Sequence, residues 1–398
     1  MINFKEELAA LEAKGLRRRM RFVSSACDRY IKIEGKKVLN LCSNNYLGLA
    51  DDKRLKAAAI SAIKKFGAGS GASRLVSGST VLHKKLEERL ARFKNQEACL
   101  VYPSGYSANL GIISALADRE SIVFSDRLNH ASIIDGIILS RAELVRYPHK
   151  DVKELEKLLE RQSAGVGTGP RACPKQRQKR LIVTDSLFSM DGDIAPLPEL
   201  ISLAKKYDCL LILDEAHSTG ILGEKGRGVL EHFGIKNIDQ RVILMGTLSK
   251  ALGGLGGFVC GSRDLIDYLV NRSRSFIFST ALPAALCASA LEAIRIIERD
   301  GNQRARLLSN AHFLRDGLNS LGFNTLESQT PIIPILIKEP RLTMEFSQKL
   351  FEKGIFVQGI RPPAVPDNLC RLRVTVMSSH TKGDLKFALD VFKKVMQY

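Results

Sequence analysis

The chain contains no tryptophan, few aromatic residues and no long apolar run. No run approaches the roughly 18 apolar residues that a membrane-spanning helix needs. Glu6, Glu7 and Glu12 interrupt the N-terminal segment, which argues against a signal peptide. We therefore expect a cytoplasmic protein without a membrane partner. Its 398 residues, 45% of them hydrophobic, are enough for a large core and favour two lobes.

The cysteine pattern lacks the spacing of metal sites and of redox motifs. None of the eight cysteines forms a C-x-x-C pair, and Cys209 and Cys260 lie inside apolar runs. Such a pattern is typical of reduced structural thiols in a cytoplasm. We predict no disulfide framework and no metal site.

Acidic residues are too few to balance the basic ones, and the formal net charge is +18. A charge of this size favours anionic partners such as nucleic acid, phosphorylated substrates or an acidic carrier protein. Residues 171–180 and the cluster Arg17, Arg18, Arg19 and Arg21 carry part of it, although both also fit solvated surface. A non-enzymatic nucleic-acid-binding protein is thus an alternative. We expect no nucleic-acid partner, because helix-turn-helix, zinc-finger and interleaved aromatic patterns are missing.

Short apolar segments alternate with helix-length segments from about residue 80, which predicts an α/β fold with a mainly parallel sheet. The strand candidates are 98–102, 121–124, 143–147, 180–185, 209–214, 241–246 and 257–261. We further expect an N-terminal helix within 1–20, a hairpin at 29–42, helices at 51–66 and 283–299, and an exposed loop at 161–180. The predicted division is an N-terminal segment (1–50), a large α/β domain (51–285) and a smaller α+β C-terminal domain (286–398).

Lys250 is the main catalytic candidate. It lies in GTLSKALGGLGG, after a predicted strand and among glycines that leave space around it. Partial desolvation in such a loop lowers a lysine pKa and frees the amine for imine formation. Thr247 and Ser249 beside it offer hydroxyl groups to a phosphate.

Asp214 ends the predicted strand CLLILD, where ligands bind in α/β sheets. A carboxylate there suits a protonated pyridine nitrogen, and His217 follows three residues later. A DEAH-type ATPase is the other interpretation, but the phosphate-binding G-x-x-x-x-G-K-[ST] loop is missing. Asp185 also ends a strand and is expected to reach the same site.

SGYSAN (104–109) opens a helix after another strand, so N–H groups at Gly105 and Tyr106 are predicted to face an anion. The stretch lacks the final glycine of a hydrolase nucleophile elbow. GAGSGASR (67–74) follows a helix and not a strand, which argues against a dinucleotide-binding loop.

Together, SNNYLGL, GAGSGASRLVSG, SGYSAN, SDRLNHAS, DSLFSMDGDIAPL, LDEAHSTGILGEKGRG and GTLSKALGGLGG resemble the α-oxoamine synthases, in family order along nearly the whole chain. These are fold-type I acyltransferases that depend on pyridoxal 5'-phosphate. The resemblance implies a large seven-stranded, mainly parallel sheet domain, a smaller C-terminal domain, and a homodimer with the active site at the subunit interface.

The resemblance also implies roles for individual residues. Lys250 resembles the Schiff-base lysine, Asp214 the pyridinium partner and His130 the ring-stacking histidine. The other implied cofactor contacts are His217 and Ser189 to the ring oxygen, Gly105, Tyr106, Thr247 and Ser249 to the phosphate, and Ser279 and Thr280 to the partner subunit's phosphate. The implied substrate contacts are Arg361 to the amino-acid carboxylate, Arg17 near the acyl group, Asn44 and Ala364.

Among family members, TPIIPILI (330–337) and GIRPPAVP (359–366) most resemble those that condense L-alanine with a pimeloyl thioester, carried by coenzyme A or an acyl carrier protein. A member that uses glycine and acetyl-CoA, or another member of the family, is the alternative. Ala364 departs from the pattern, since threonine, a substrate contact, is usual there.

Overall fold

The computed structural model describes residues 2–163 and 178–396. The strands in chain order are β1 (Tyr30–Ile33), β2 (Lys36–Asn40), β3 (Ala98–Tyr102), β4 (Ile122–Asp126), β5 (Glu143–Tyr147), β6 (Arg180–Asp185), β7 (Leu210–Asp214), β8 (Val242–Thr247), β9 (Gly257–Gly261), β10 (Ile332–Lys338), β11 (Ile355–Phe356), β12 (Gln358–Ile360) and β13 (Cys370–Thr375). The α-helices are α1 (Phe4–Ala13), α2 (Lys53–Phe66), α3 (Val81–Lys94), α4 (Gly105–Leu116), α5 (Ala131–Ser140), α6 (Val152–Ser163), α7 (Leu197–Lys206), α8 (Val229–His232), α9 (Arg263–Arg272), α10 (Arg274–Ile277), α11 (Ala284–Arg299), α12 (Gly301–Ser320), α13 (Pro340–Glu352) and α14 (Lys382–Met396).

The chain divides into a large and a small compact unit. The large unit contains Asp52–Phe188 and Ile194–Gly301, and the small unit contains Met1–Asp51, Ser189–Asp193 and Asn302–Tyr398. The sequence placed a boundary at 285, whereas α11 lies in the large unit because it packs on α2 and α3. The N-terminal segment, expected to stand apart, shares a sheet with the C-terminal residues, since β2 pairs in parallel with β11.

A seven-stranded sheet in the order β3-β9-β8-β7-β6-β4-β5 forms the centre of the large unit. Strands β8, β7, β6, β4 and β5 are parallel, and β9 runs antiparallel to its two neighbours. Every residue of β3, β4, β8 and β9 is buried, as expected for a sheet with helices on both faces. The predicted α/β fold with a mainly parallel sheet is thus confirmed.

The register of this sheet brings the carboxyl ends of three strands together. Asp185 at the end of β6 pairs with Asp214 at the end of β7, and Asp214 pairs with Met245 near the end of β8. The polar residues that follow these strands therefore lie along one edge of the sheet.

The small unit contains two three-stranded sheets, β1-β2-β11 and β10-β13-β12. The predicted hairpin is present, and Glu34 (φ 52°) and Gly35 (φ 78°) form its turn. Positive φ at both central residues is what a tight hairpin turn requires. The N-terminal helix is shorter than expected and ends at Ala13, just before Gly15 with φ 66°.

The expected loop at 161–180 falls mostly outside the described residues. Residues 161–163 end α6, residues 178 and 179 precede β6, and 164–177 are not described. Among the helices that are described, none combines the length and the apolar character needed to cross a bilayer.

Candidate active site

Asp214 lies at the carboxyl end of β7 and is 4% exposed. Its Oδ2 accepts a hydrogen bond from Asn109 Nδ2 at 2.8 Å, and its Oδ1 accepts one from the Ala216 N–H at 2.8 Å. Asn109, on α4, is fully buried. Since both carboxylate oxygens are held, the side chain has one fixed orientation at the sheet edge. The sequence did not single out Asn109, although the motif SGYSAN contains it.

A chain of hydrogen bonds connects His130 with Asp214. Asn109 Nδ2 also donates to Ser132 Oγ at 2.9 Å, and Ser132 Oγ lies 2.8 Å from His130 Nδ1. His130 caps the start of α5 and accepts the Ser132 N–H at Nδ1. Nδ1 is therefore an acceptor, and the neutral ring carries its proton on Nε2.

Asp214 and Lys250 both lie close enough to His130 to affect its pKa. His130 is exposed to solvent. Desolvation lowers the pKa of His130 below the ordinary imidazole value, while the nearby Asp214 carboxylate raises it and the Lys250 ammonium lowers it further. The ring is thus neutral at pH 7 and suited to stack on an aromatic ligand without a charge penalty.

Asp185 belongs to the same edge, as the sequence predicted. It is 3% exposed, and its N–H donates to Asn129 Oδ1 at 2.9 Å. Burial raises the pKa of Asp185 well above the ordinary carboxyl value, the neighbouring Asp214 carboxylate raises it further, and Lys250 lowers it. Two buried carboxylates side by side do not both ionise readily, which favours the protonated form of Asp185.

The N-terminus of α4 forms the anion-binding part of the site. Ser104 caps the helix and accepts the Ser107 N–H at 3.0 Å, so the N–H groups of Gly105 and Tyr106 have no acceptor within the helix. A Cβ at Gly105 would lie 3.4 Å from Thr247 Cβ, which shows that the helix start and the Thr247 loop are in contact. This is where a phosphate is expected to bind.

The loop after β8 supplies hydroxyl groups to this helix start. Thr247 Oγ1 donates to Gly256 O at 2.8 Å and lies 2.8 Å from Ser249 Oγ. Lys250 follows in the same turn and is half-buried. His217 lies in the turn after β7 and is 6% exposed.

Thr280 and its neighbour Ala281 contact the glycine-rich loop of their own unit. Thr280 forms an isolated β-bridge with Ser73, and the Ala281 N–H donates to Ala72 O at 3.0 Å. Thr280 is exposed. The implied role of Ser279 and Thr280 at a partner's phosphate stays a prediction.

The expected substrate residues and Ser189 lie in the small unit. Asn44 Oδ1 accepts from Arg373 Nη2 at 3.1 Å, and Arg373 Nε donates to Ser189 O at 2.5 Å. Sequence reasoning missed Arg373, a buried cation in the middle of β13.

Arg361 is 5% exposed and donates from Nη2 to Arg17 O at 2.6 Å. The Arg17 side chain forms an ion pair with Glu12 at 3.2 Å. Ala364 is exposed and donates its N–H to Arg361 O at 3.2 Å. The structure therefore places Arg17, Arg361 and Ala364 in one neighbourhood, and their roles toward substrates stay predictions.

Residues of the large unit fit pyridoxal phosphate. Asp214 is a fixed carboxylate, His130 is a neutral ring beside it, and Lys250 is close enough to affect the pKa of both His130 and Asp185. Helix N–H groups and hydroxyls for a phosphate stand at the contact of Gly105 with Thr247. No cluster of three or more metal-ligating side chains occurs among residues 2–163 and 178–396.

Comparison with known proteins gives a consistent result. A family model described as aminotransferase class I and II matches residues 36–392. An 8-amino-7-oxononanoate synthase from Citrifermentans bemidjiense is 52% identical over 397 residues, which cover 99% of this chain and 98% of that protein. A serine palmitoyltransferase from S. paucimobilis, solved with a PLP–myriocin aldimine, has a TM-score of 0.90 at 32% identity and covers 99% of this chain and 96% of its own. An 8-amino-7-oxononanoate synthase structure from Francisella tularensis has a TM-score of 0.75 at 31% identity, with 91% and 98% covered.

Proposed function

The chain belongs to the class I and II aminotransferase family and, within it, to the α-oxoamine synthases, and from this premise we propose that it catalyses the 8-amino-7-oxononanoate synthase reaction. It joins L-alanine to a pimeloyl thioester with loss of carbon dioxide, a step of biotin synthesis. The observation that carries this proposal is 52% identity, along 99% of the chain, to a curated enzyme of that name.

The cofactor is pyridoxal phosphate, and bound pyridoxal phosphate supplies an aldehyde for imine formation and a ring that withdraws electrons from the bond being broken. We assign Asp214 to hold a proton at the ring nitrogen and His130 to stack on the ring. We assign His217 and Ser189 to the ring oxygen, and the α4 N-terminus with Thr247 and Ser249 to the phosphate.

Lys250 is the base in this proposal. Its amine would be the point of attachment for the cofactor and, once free, would accept the α-proton of L-alanine, so one nitrogen would serve both roles. Asp214 would hold a proton at the ring nitrogen and so keep the ring able to accept electrons during that proton transfer. We further assign Arg361 and Asn44 to the carboxylate of L-alanine, and Arg17 and Ala364 to the acyl donor.

The donor is pimeloyl-CoA or a pimeloyl acyl carrier protein, and a net charge of +18 suits either polyanion. We propose a homodimer in which Ser279 and Thr280 reach the partner's phosphate. A cytoplasmic location agrees with seven free cysteines among the described residues.

The test uses purified protein with pimeloyl-CoA and either L-alanine or glycine, and follows release of the thiol. We expect turnover with L-alanine and a yellow protein whose visible absorbance is lost in Lys250→Ala. Lys205→Ala, an exposed lysine on α7, is the matched control and keeps both colour and turnover.

Two outcomes would contradict this assignment. A preference for glycine with acetyl-CoA would move it to the 2-amino-3-ketobutyrate CoA ligase reaction. A colourless wild-type protein with no thiol release would overturn enzymatic function and favour the nucleic-acid-binding alternative.

A further inference from the structure

The small unit contains a cavity of about 400 Å³ with an unusual lining. Arg18, Arg19, Arg21 and Arg361 contribute to its wall, with Phe356 and Ala364 among the remaining lining residues. Of the described residues that line it, none is acidic. We call this cavity the arginine pocket.

Two of these arginines are held in place by neutral groups. Arg18 Nη2 donates to Pro362 O at 2.9 Å, and Arg21 Nη2 donates to Gln348 Oε1 at 2.7 Å. The Arg21 guanidinium also lies 4.2 Å from the centre of the Phe351 ring. Neutral partners orient a guanidinium without cancelling its charge, so both groups keep their full attraction for an anion.

The other two arginines reinforce this positive potential. Arg19 pairs with Glu12 at 3.1 Å, but the two side chains are 73% and 54% exposed, and such a pair neutralises little. Arg361 is buried, and its Nε has no hydrogen-bond partner among the residues described. Burial lowers the pKa of Arg361, and the nearby Arg18 lowers it further. Arg361, assigned above to the carboxylate of L-alanine, adds to the positive potential of the pocket, and Arg18 and Arg21 remain for a second anion.

We infer that the arginine pocket binds an oxyanion of the acyl donor, with Arg18 and Arg21 as the residues that recognise it. The inference rests on the proposed function, which supplies a donor with two kinds of oxyanion. One is the free carboxylate at the far end of the pimeloyl chain, and the other is the phosphate of its carrier. Guanidinium groups bind both through paired N–H···O contacts. Neither Arg18 nor Arg21 stood out in the sequence beyond membership of a basic cluster.

Three donors distinguish the two sources. Pimeloyl-CoA carries the carboxylate and the phosphates, heptanoyl-CoA carries only the phosphates, and pimeloyl-N-acetylcysteamine carries only the carboxylate. The variants are Arg18→Gln and Arg21→Gln, which remove the guanidinium and its charge but keep a polar side chain. Arg306→Gln, at an exposed position on α12, is the control with the same change in net charge.

We expect each variant to raise the KM for pimeloyl-CoA at least roughly tenfold, the size of one lost charged hydrogen bond, with kcat little changed. If the pocket binds the carboxylate, pimeloyl-N-acetylcysteamine shows the same rise and heptanoyl-CoA does not. If it binds phosphate, heptanoyl-CoA shows the rise in KM and pimeloyl-N-acetylcysteamine does not. Variants that affect all three donors equally, or none, overturn the inference.

A binding experiment separates this inference from the proposed function. Calorimetry with pimelate and with 3',5'-ADP needs no turnover. Binding of either probe to the wild type, weakened at least roughly tenfold in both variants but not in Arg306→Gln, supports the pocket even if the wild type turns over no donor. Equal affinity in all four proteins, or no binding of either probe to the wild type, refutes it.

Discussion

Lys94 and Glu215 form an ion pair inside the large unit, and both side chains are 0% exposed. Lys94 Nζ lies 2.5 Å from Glu215 Oε2 and also donates to Thr219 Oγ1 at 3.1 Å. Glu215 Oε1 accepts the Val229 N–H at 2.7 Å. The pair therefore ties the end of α3 to the loop that follows Asp214, the carboxylate at the centre of the proposed site.

Removing one charge from such a pair leaves the other buried without compensation. Lys94→Met is thus expected to lower the free energy of unfolding by about 3–5 kcal/mol, and Glu215→Gln by a similar amount. The amide oxygen introduced by Glu215→Gln still accepts the Val229 N–H, and no charge remains when both substitutions are combined. The double variant is therefore expected to be less destabilised than the sum of the singles by at least about 2 kcal/mol. Such a coupling separates the ion pair from simple loss of packing.

The assay is chemical denaturation followed by circular dichroism, since the chain has no tryptophan for fluorescence. The matched control is Lys157→Met, which breaks the exposed pair with Glu154 at 3.4 Å and is expected to change stability by less than about 0.5 kcal/mol. The reasoning is refuted if Lys94→Met costs no more than this control, or if the two single effects simply add.

Two further predictions concern acid stability and backbone contact at the phosphate end. Burial lowers the pKa of His380 to about 4 from the ordinary value of 6.5, so the unfolded chain takes up a proton first as pH falls, and stability is lost between pH 6.5 and 4. From pH 7 to pH 5 this loss is on the order of 2 kcal/mol. The denaturation midpoint should therefore fall less between pH 7 and pH 5 in His380→Gln than in the wild type. An equal fall in the two proteins would contradict the argument. A Cβ at Gly257 would lie 2.4 Å from Ser104 O, in the main chain that caps α4. Gly257→Ala is therefore expected to lower the free energy of unfolding by about 1–3 kcal/mol. It is also expected to weaken pyridoxal phosphate binding, measured by an absorbance titration. Gly69→Ala, with nothing within 4 Å, is its control, and equal behaviour of the two variants would show that the contact is unimportant.

The seven strands of the large sheet were predictable because the cause of each is local. Most are short apolar runs that a sheet covered on both faces buries, and helix-length segments separate most of them. The edge strand β5 is the exception, since only Tyr147 in it is buried. The strand candidates at 98–102, 143–147, 180–185 and 257–261 match the observed bounds, and the others differ by one or two residues. The unit boundary at 301 was less predictable, since it depends on where α11 packs.

The site shows the same contrast. Lys250, Asp214, Thr247 and Asp185 were found because each stands at the end of a strand or just after it. Asn109 was not, because an asparagine within a helix gives no sign of which side chain it will meet.

The residue pattern could not show whether the basic cluster lies on open surface or lines a cavity, because this depends on partners distant in sequence. The basic cluster that includes Arg18 and Arg21 has the same composition whether solvent or a cavity surrounds it. The distinction comes from Pro362 and Gln348, more than 300 residues away, which fix two guanidinium groups without neutralising them. Arg17 and Arg19 of this cluster pair with Glu12. Arg18 and Arg21 are oriented by neutral oxygens beside a cavity, and their charge stays available to an anion. Part of the net charge of +18 is therefore concentrated at this pocket, where Arg18 and Arg21 keep their charge beside a cavity and attract a polyanionic donor.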